Sequence, residues 1–105
     1  KYDKDVKDAI VTVVMSDENP GVRREALMLM NKIPYDENIK QALLYVITND
    51  TVSGLRIEAL NSIIEAGNKG YKLNNEELNL FRQTMQDDKN PYIKLRSKTI
   101  LQEHN

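Results

Sequence analysis

Residues 17–23 are Asp-Glu-Asn-Pro-Gly-Val-Arg, and residues 88–94 repeat this pattern as Asp-Lys-Asn-Pro-Tyr-Ile-Lys. Residues 50–56, Asp-Thr-Val-Ser-Gly-Leu-Arg, keep the aspartate, the glycine and the arginine. In the first two stretches, Asn-Pro places a side-chain acceptor just before a proline at the first helical position, which is typical of a helix N-terminus. The sequence therefore predicts that one turn leading into a helix occurs three times.

The repetition extends beyond these turns. Residues 2–9 align with residues 35–42 at a shift of 33 positions, and the same shift places residues 23–27 on residues 56–60. The third copy follows at a shift of 38 positions, with its extra length in the glycine-containing connection 67–72. A period of this size is typical of a solenoid, in which each unit packs against its neighbours. We therefore predict one domain over 1–105, with units of about 2–34, 35–70 and 71–105. We also predict that this domain is a fragment of a longer protein.

Each unit is predicted to contain two amphipathic helices, because apolar residues recur at steps of three and four. The second helix of each unit also carries a small residue four positions after its first apolar one, which lets paired helices approach closely: Ala26, Ala59 and Ser97. The residues predicted to face the core in the first unit are Val6, Ala9, Ile10, Val13, Val14, Val22, Ala26, Leu29 and Met30.

The capping signals set the predicted helix limits. Asp3 and Asp36 can cap the leading helices, and Asn74 with Glu77 resembles a capping box. Gly67 is expected to be a left-handed C-cap. The predicted helices lie near 3–16, 20–33, 36–49, 53–66, 75–86 and 91–103. The predicted fold is therefore all-α, an alpha–alpha superhelix of three helical hairpins with essentially no strand.

The pattern Asp-x-Asn-Pro-x-Val-Arg, followed by a small residue, resembles the HEAT repeat and covers nearly the whole chain. In HEAT proteins the turn aspartate commonly pairs with the arginine that follows the valine, in a ladder between neighbouring units. The resemblance implies such a structural ladder here, formed by Asp17, Asp50, Asp88, Arg23, Arg56 and Lys94.

A narrower resemblance rests on residues 19–23, 39–45 and 90–96. These stretches are similar to the HEAT segment at the C-terminal end of certain bacterial membrane-anchored, anti-sigma-like proteins. In that family, a zinc-binding segment and one membrane helix often precede the repeats. This resemblance implies a sensory or regulatory segment within a larger parent protein.

Composition excludes several classes of function. The chain has no cysteine and one histidine, so it lacks a thiolate nucleophile, a cysteine zinc site and most acid–base triads. Its net charge of -1 and pI of about 5.8 argue against a protein that mainly neutralises phosphates. No apolar run approaches the roughly 20 residues of a membrane helix. We expect a non-enzyme without catalytic residues, metal or cofactor, and no contact of this segment with nucleic acid or membrane.

The function predicted from these observations is a protein–protein interaction scaffold, because solenoids present extended surfaces to partners. A HEAT-like nucleic-acid-binding module is the alternative. It would need a basic stripe, which interspersed acids dilute, and the candidate cations are Lys40, Lys7, Arg24, Lys94 and Arg96. A third possibility, attachment of bilin chromophores as in some HEAT-like proteins, lacks a nucleophile. The candidate partner-binding residues are Met15, Met28, Tyr45, Tyr71 and Lys40.

The remaining expectations concern the surface and the two terminal helices. Arg24, Glu25, Lys40 and Glu58 are expected on solvated helix faces. Weak self-association is predicted through the N-terminal helix, where Val11 and Met15 point away from its core face. The C-terminal helix is expected to be a soluble cap, with His104 frayed.

Overall fold

The computed structural model describes residues 3–104, so that Tyr2 of the predicted first unit, together with Lys1 and Asn105, lies outside the described residues. The described chain forms six α-helices and no strand, which confirms the predicted all-α fold. The helices are α1 (Lys4–Ser16), α2 (Pro20–Met30), α3 (Glu37–Asn49), α4 (Ser53–Asn68), α5 (Asn75–Asp87) and α6 (Pro91–Glu103).

The predicted caps are present. The Asp3 and Asp36 carboxylates accept the backbone N–H groups of Val6 and Ile39, each at 2.9 Å. Asn74 and Glu77 form a reciprocal capping box at the start of α5, with hydrogen bonds of 2.8 and 2.9 Å. These contacts explain why the sequence locates the helix starts to within one residue, since each cap satisfies N–H groups that a helix leaves free.

The predicted glycine cap was placed three residues too early. Gly67 lies inside α4, whereas Gly70 adopts the left-handed conformation with φ of 100°. The Tyr71 N–H donates to the Ala66 carbonyl and the Gly70 N–H donates to the Gly67 carbonyl, which is the Schellman pattern. α4 therefore ends at Asn68, two residues beyond its predicted end. Conversely, α2 ends at Met30, three residues before its predicted end, and a turn follows it before Pro34.

The chain divides into two compact units, with the division between Ser62 and Ile63 inside α4. In the first unit, α1 packs against both α2 and α3. In the second unit, α5 packs against α6, and Phe81 is fully buried. Contacts between equivalent helices of the first two repeats, α1 with α3 and α2 with α4, lie in the first unit.

The small residues at the fourth position of α2, α4 and α6 are all buried, as predicted. Ala26, Ala59 and Ser97 are enclosed in the interior. The Ser97 hydroxyl has no hydrogen-bond partner within the described residues. A buried hydroxyl without a partner costs free energy, so the small volume of Ser97 explains its position better than its polarity does.

Part of the predicted core of the first repeat is wrong. Val6, Val22 and Leu29 are exposed, as is Ala9. The equivalent residues one repeat later include Ile39 and Leu55, which are buried. Helix α1 covers one side of α3, but no described helix covers the outer side of α1 and α2. The repeat pattern marks the apolar face, while burial depends on whether a neighbour lies on it.

Candidate protein-binding surface

A bidentate ion pair links the first two repeats. The Arg23 guanidinium donates from Nε and Nη2 to the two carboxylate oxygens of Asp50, at 2.9 and 3.1 Å. Both side chains are largely buried, with 12% of Arg23 and 4% of Asp50 exposed. Arg23 Nη1 also donates to the Asp17 backbone carbonyl at 2.8 Å. This guanidinium therefore joins the turn of its own repeat to the turn of the next one.

The three turn aspartates share a local role. One carboxylate oxygen of each accepts the backbone N–H two residues later: Asn19 for Asp17, Val52 for Asp50 and Asn90 for Asp88, all at 2.9 Å. Such side-chain bonds stabilise a turn that leads into a helix. The repeated aspartates thus shape the turns, and this bond leaves the second oxygen of the carboxylate available for a cation.

Arg56, Asp17 and Lys94 are further predicted ladder residues. Arg56 Nε donates to the Ile47 backbone carbonyl at 2.6 Å, which ties α4 to α3. Asp17 forms no ion pair with any described residue, and neither does Lys94. Both ladder positions therefore keep a charge without an opposite partner in residues 3–104.

Helices α2 and α4 contact each other through polar side chains. Arg24 Nη1 donates to Glu58 Oε1, and the Ser62 hydroxyl donates to Asn31 Oδ1 at 2.9 Å. A Cβ at Gly54 would lie 3.2 Å from Arg24 Nη2, so the glycine gives the guanidinium room beside α4. Arg24 and Glu58 were predicted to lie on solvated helix faces. Their side chains are 43% and 41% exposed, and they also pair with each other across the two helices.

Met28 lies between these two contacts on α2. Arg24, Met28 and Asn31 are spaced at i, i+4 and i+7, so they form one stripe along the helix. The Met28 side chain is 51% exposed although its neighbours on the stripe are bonded to α4. We call the surface formed by Arg24, Met28, Asn31, Glu58 and Ser62 the α2/α4 seam.

One acceptor in the α2/α4 seam is not used. Glu58 Oε2 is buried and has no hydrogen-bond partner within the described residues, whereas Oε1 accepts from Arg24. A buried carboxylate oxygen without a donor carries a free-energy cost that an additional donor would remove. The seam therefore combines a half-exposed, flexible apolar side chain with a carboxylate that has one enclosed oxygen.

The other candidate residues do not gather at this surface. Tyr45 on α3 and Tyr71 in the connection after α4 are exposed, as expected. Met15 on α1 is only partly exposed. Lys40 is buried, and its Nζ lies 3.1 Å from Glu37 Oε1. The expectation that Lys40 lies on a solvated helix face is wrong, because its side chain is only 10% exposed.

Sequence reasoning missed an open cavity of about 310 Å³ where α1 meets α3. Its lining includes Lys7 and Asp36, whose Nζ and Oδ2 atoms are 2.6 Å apart. The hydrogen bond from Lys7 lowers the pKa of Asp36 below its ordinary value. Lys4 and Asp8 form a second, exposed pair at its edge, at 2.7 Å. Because acids pair with the cations here, the cavity presents little net charge.

His104 makes two contacts that the sequence did not predict. Its Nδ1 lies 2.8 Å from the Ile100 backbone carbonyl, and the Leu73 N–H points to Nε2 at 3.4 Å. The imidazole joins the end of α6 to the segment before α5. It therefore has a structural contact within the second unit.

No protein-family model, curated protein or solved structure matches this chain. Within residues 3–104, no helix combines the length and the apolar character that a membrane span requires. The same part of the chain contains no cluster of three or more histidine, aspartate or glutamate side chains that could hold a metal ion.

The α2/α4 seam could have been found from the repeat spacing. Arg24 and Glu58 are 34 positions apart, one more than the shift between the first two repeats. Side chains of opposite charge at about one repeat length can meet when equivalent helices lie side by side. Classifying each charge from its own helix alone hides this signal.

Proposed function

We propose that this chain is a HEAT-repeat protein that serves as a non-catalytic scaffold and binds a protein partner through the α2/α4 seam. The observation that carries the proposal is Met28, a large apolar side chain held half-exposed between two fixed polar contacts. Methionine adapts its shape to a partner, and apolar anchors surrounded by polar groups are typical of binding surfaces.

The seam also defines what the partner should offer. An apolar side chain or a shallow pocket would cover Met28, and a hydrogen-bond donor would meet the Glu58 carboxylate, whose side chain is 41% exposed. A donor from lysine, arginine or a backbone N–H would give a charge-assisted bond, which is stronger than a neutral one. The partner surface is therefore expected to be apolar with a donor at its edge.

Nucleic-acid binding has less support from the charges of the first unit. Arg24 pairs with Glu58, Lys7 pairs with Asp36, and Lys40 is buried beside Glu37. Cations that are already paired with carboxylates release few counterions on binding phosphate. A basic stripe of the kind that a phosphate backbone requires is thus not supported by these residues.

Within this scaffold role, we place the chain as the sensory or regulatory segment of a bacterial anti-sigma-like protein. That placement rests on the resemblance of residues 19–23, 39–45 and 90–96. The upstream part of the parent gene is expected to encode a Cys/His cluster and one apolar stretch of roughly 20 residues. An upstream sequence with neither feature would remove this placement and leave the scaffold proposal standing.

Site-specific photo-crosslinking tests the scaffold proposal. A benzophenone amino acid replaces Met28 in the full-length parent protein, and the matched control places it at Gln83, an exposed polar position on α5. The Met28 position is expected to trap a discrete protein that the Gln83 position does not. The trapped protein is then purified and titrated against the unmodified chain and against Met28→Asp.

The titration decides between specific binding and chance capture. Met28→Asp is expected to weaken binding at least about tenfold, because it places a charge in a desolvated contact. Gln83→Asp is expected to leave the affinity unchanged. Equal affinity of the Met28→Asp variant and the unmodified chain would overturn the proposal, as would crosslinking of Met28 to nucleic acid instead of protein.

A further inference from the structure

The contacts between the first two repeats provide a template for contacts between separate copies of the chain. In the structure, Arg23 of the first repeat binds Asp50 of the second. Lys94 occupies the position of Arg23 in the third repeat, and Asp17 occupies the position of Asp50 in the first. Neither has an ion-pair partner within the described residues.

The surface around Asp17 is apolar with a second acid. Val22 and Leu29 are exposed on α2, and Glu25 lies between them at i+3. Their equivalents in the second repeat include Leu55, which is buried. We call Asp17, Val22, Glu25 and Leu29 the head face.

Helix α6 carries a stripe of opposite charge. Lys94 and Lys98 are one turn apart on α6, and Leu95 beside them is 61% exposed, the largest value among the exposed large apolar residues. Leu95 occupies the position of Arg24, which in the first repeat contacts the neighbouring helix α4. We call Lys94, Leu95 and Lys98 the tail stripe. The expectation that the C-terminal helix is only a soluble cap omitted Leu95.

We propose that the tail stripe of one copy binds the head face of a second copy, with Lys94 on Asp17 as Arg23 binds Asp50, and with Leu95 and Lys98 against the part of α2 that carries Val22, Glu25 and Leu29. Complementary charge selects this arrangement, since two head faces would bring acids together and two tail stripes would bring lysines together. The interface uses different surfaces on the two copies, so each bound copy still has a surface that can bind a further copy. It is separate from the α2/α4 seam and does not depend on the proposed function.

Charge reversal tests this interface by sedimentation velocity over a range of concentrations at low salt. The unmodified chain is expected to show a weight-average mass that rises with concentration beyond that of a dimer. Asp17→Lys and Lys94→Glu are each expected to weaken association at least about tenfold, because each places like charges opposite each other. Lys72→Glu, an exposed lysine in the connection after α4, is the matched control and should change nothing.

The double variant makes the test specific. Asp17→Lys with Lys94→Glu restores opposite charges between copies, so its association is expected to return to within about threefold of the unmodified chain. High salt should weaken the association of the unmodified chain and of the double variant, since the ion pairs between copies are solvent-accessible at the rim of the interface. Circular dichroism verifies that each variant keeps its helices. A strict monomer at all concentrations would overturn the proposal, and so would a double variant no better than the single ones.

Discussion

The first and second repeats have nearly the same pattern but different surroundings. Val22 of the first repeat is 41% exposed, whereas Leu55 at the equivalent position of the second is 1% exposed. The Asp17 carboxylate forms no ion pair with a described residue, whereas the Asp50 carboxylate binds Arg23. Local sequence therefore sets the turns and helices in both repeats, and the neighbouring helix decides which equivalent residues contribute to stability.

The largest expected effect compares the two apolar positions. Leu55→Ala should lower the free energy of unfolding by about 2–5 kcal/mol, because it removes buried methyl groups and leaves a cavity. Val22→Ala should change the free energy by less than about 0.5 kcal/mol, since the side chain is exposed. Urea denaturation of the two variants measures the difference. Equal losses would mean that the first repeat is covered in solution.

The second comparison concerns the turn aspartates. Asp50→Asn keeps the acceptor for the Val52 N–H but removes the charge that binds Arg23, and it should cost about 1.5–3 kcal/mol. Asp17→Asn keeps the equivalent bond to Asn19 and breaks no ion pair, so it should be near neutral. Thermal unfolding of both variants at neutral pH provides the measurement. A large loss for Asp17→Asn would show that Asp17 has a cationic partner.

The third prediction concerns two equivalent alanines, at which the same substitution should lower the stability by a similar amount in both repeats. Ala26 and Ala59 are both buried between helices. Ala26→Leu and Ala59→Leu should each cost about 1–3 kcal/mol through overpacking. Chemical denaturation would contradict the assigned helix packing if either variant unfolded at the same denaturant concentration as the unmodified chain.

The smallest effect is a pH dependence. The hydrogen bond from Lys7 lowers the pKa of Asp36 in the folded state, so this group stabilises the fold above its unfolded pKa. That contribution is lost as the pH falls through the folded pKa, which lies below the ordinary pKa of an aspartate. Asp36→Asn, which keeps the cap on Ile39, should flatten this part of the stability profile. Asp3→Asn, at the equivalent cap of α1, is the control, because Asp3 has no ion pair within the described residues.

Most of the secondary structure could be predicted from the sequence, because its signals are local. Asn19, Asn90 and Asn74 cap helices through bonds within three residues, and the spacing of apolar residues gives the helical period. The Schellman turn at Gly70 was misplaced because Gly67 and Gly70 offer the same freedom, and only the packing of α4 decides between them.

The candidate surface was harder to predict, since it depends on contacts about one repeat apart. Met28, Tyr45 and Tyr71 are exposed as expected, but the enclosure of Lys40 and the pair of Arg24 with Glu58 arise from the neighbouring helices. The pattern of a single helix cannot show which of its polar residues face another helix. Alignment of the repeats supplies that information only when charges are compared between units.

Cysteine labelling tests the difference between the repeats most directly, because the natural sequence has no cysteine. Ala9 and Ala42 are equivalent positions, of which Ala9 is exposed and Ala42 is buried, and cysteine is a small replacement for both. Under native conditions, Ala9→Cys should react with a thiol reagent at nearly the rate of the unfolded chain. Ala42→Cys should react on the order of 100-fold more slowly, since labelling requires opening of the fold. Equal rates at the two positions would contradict the account.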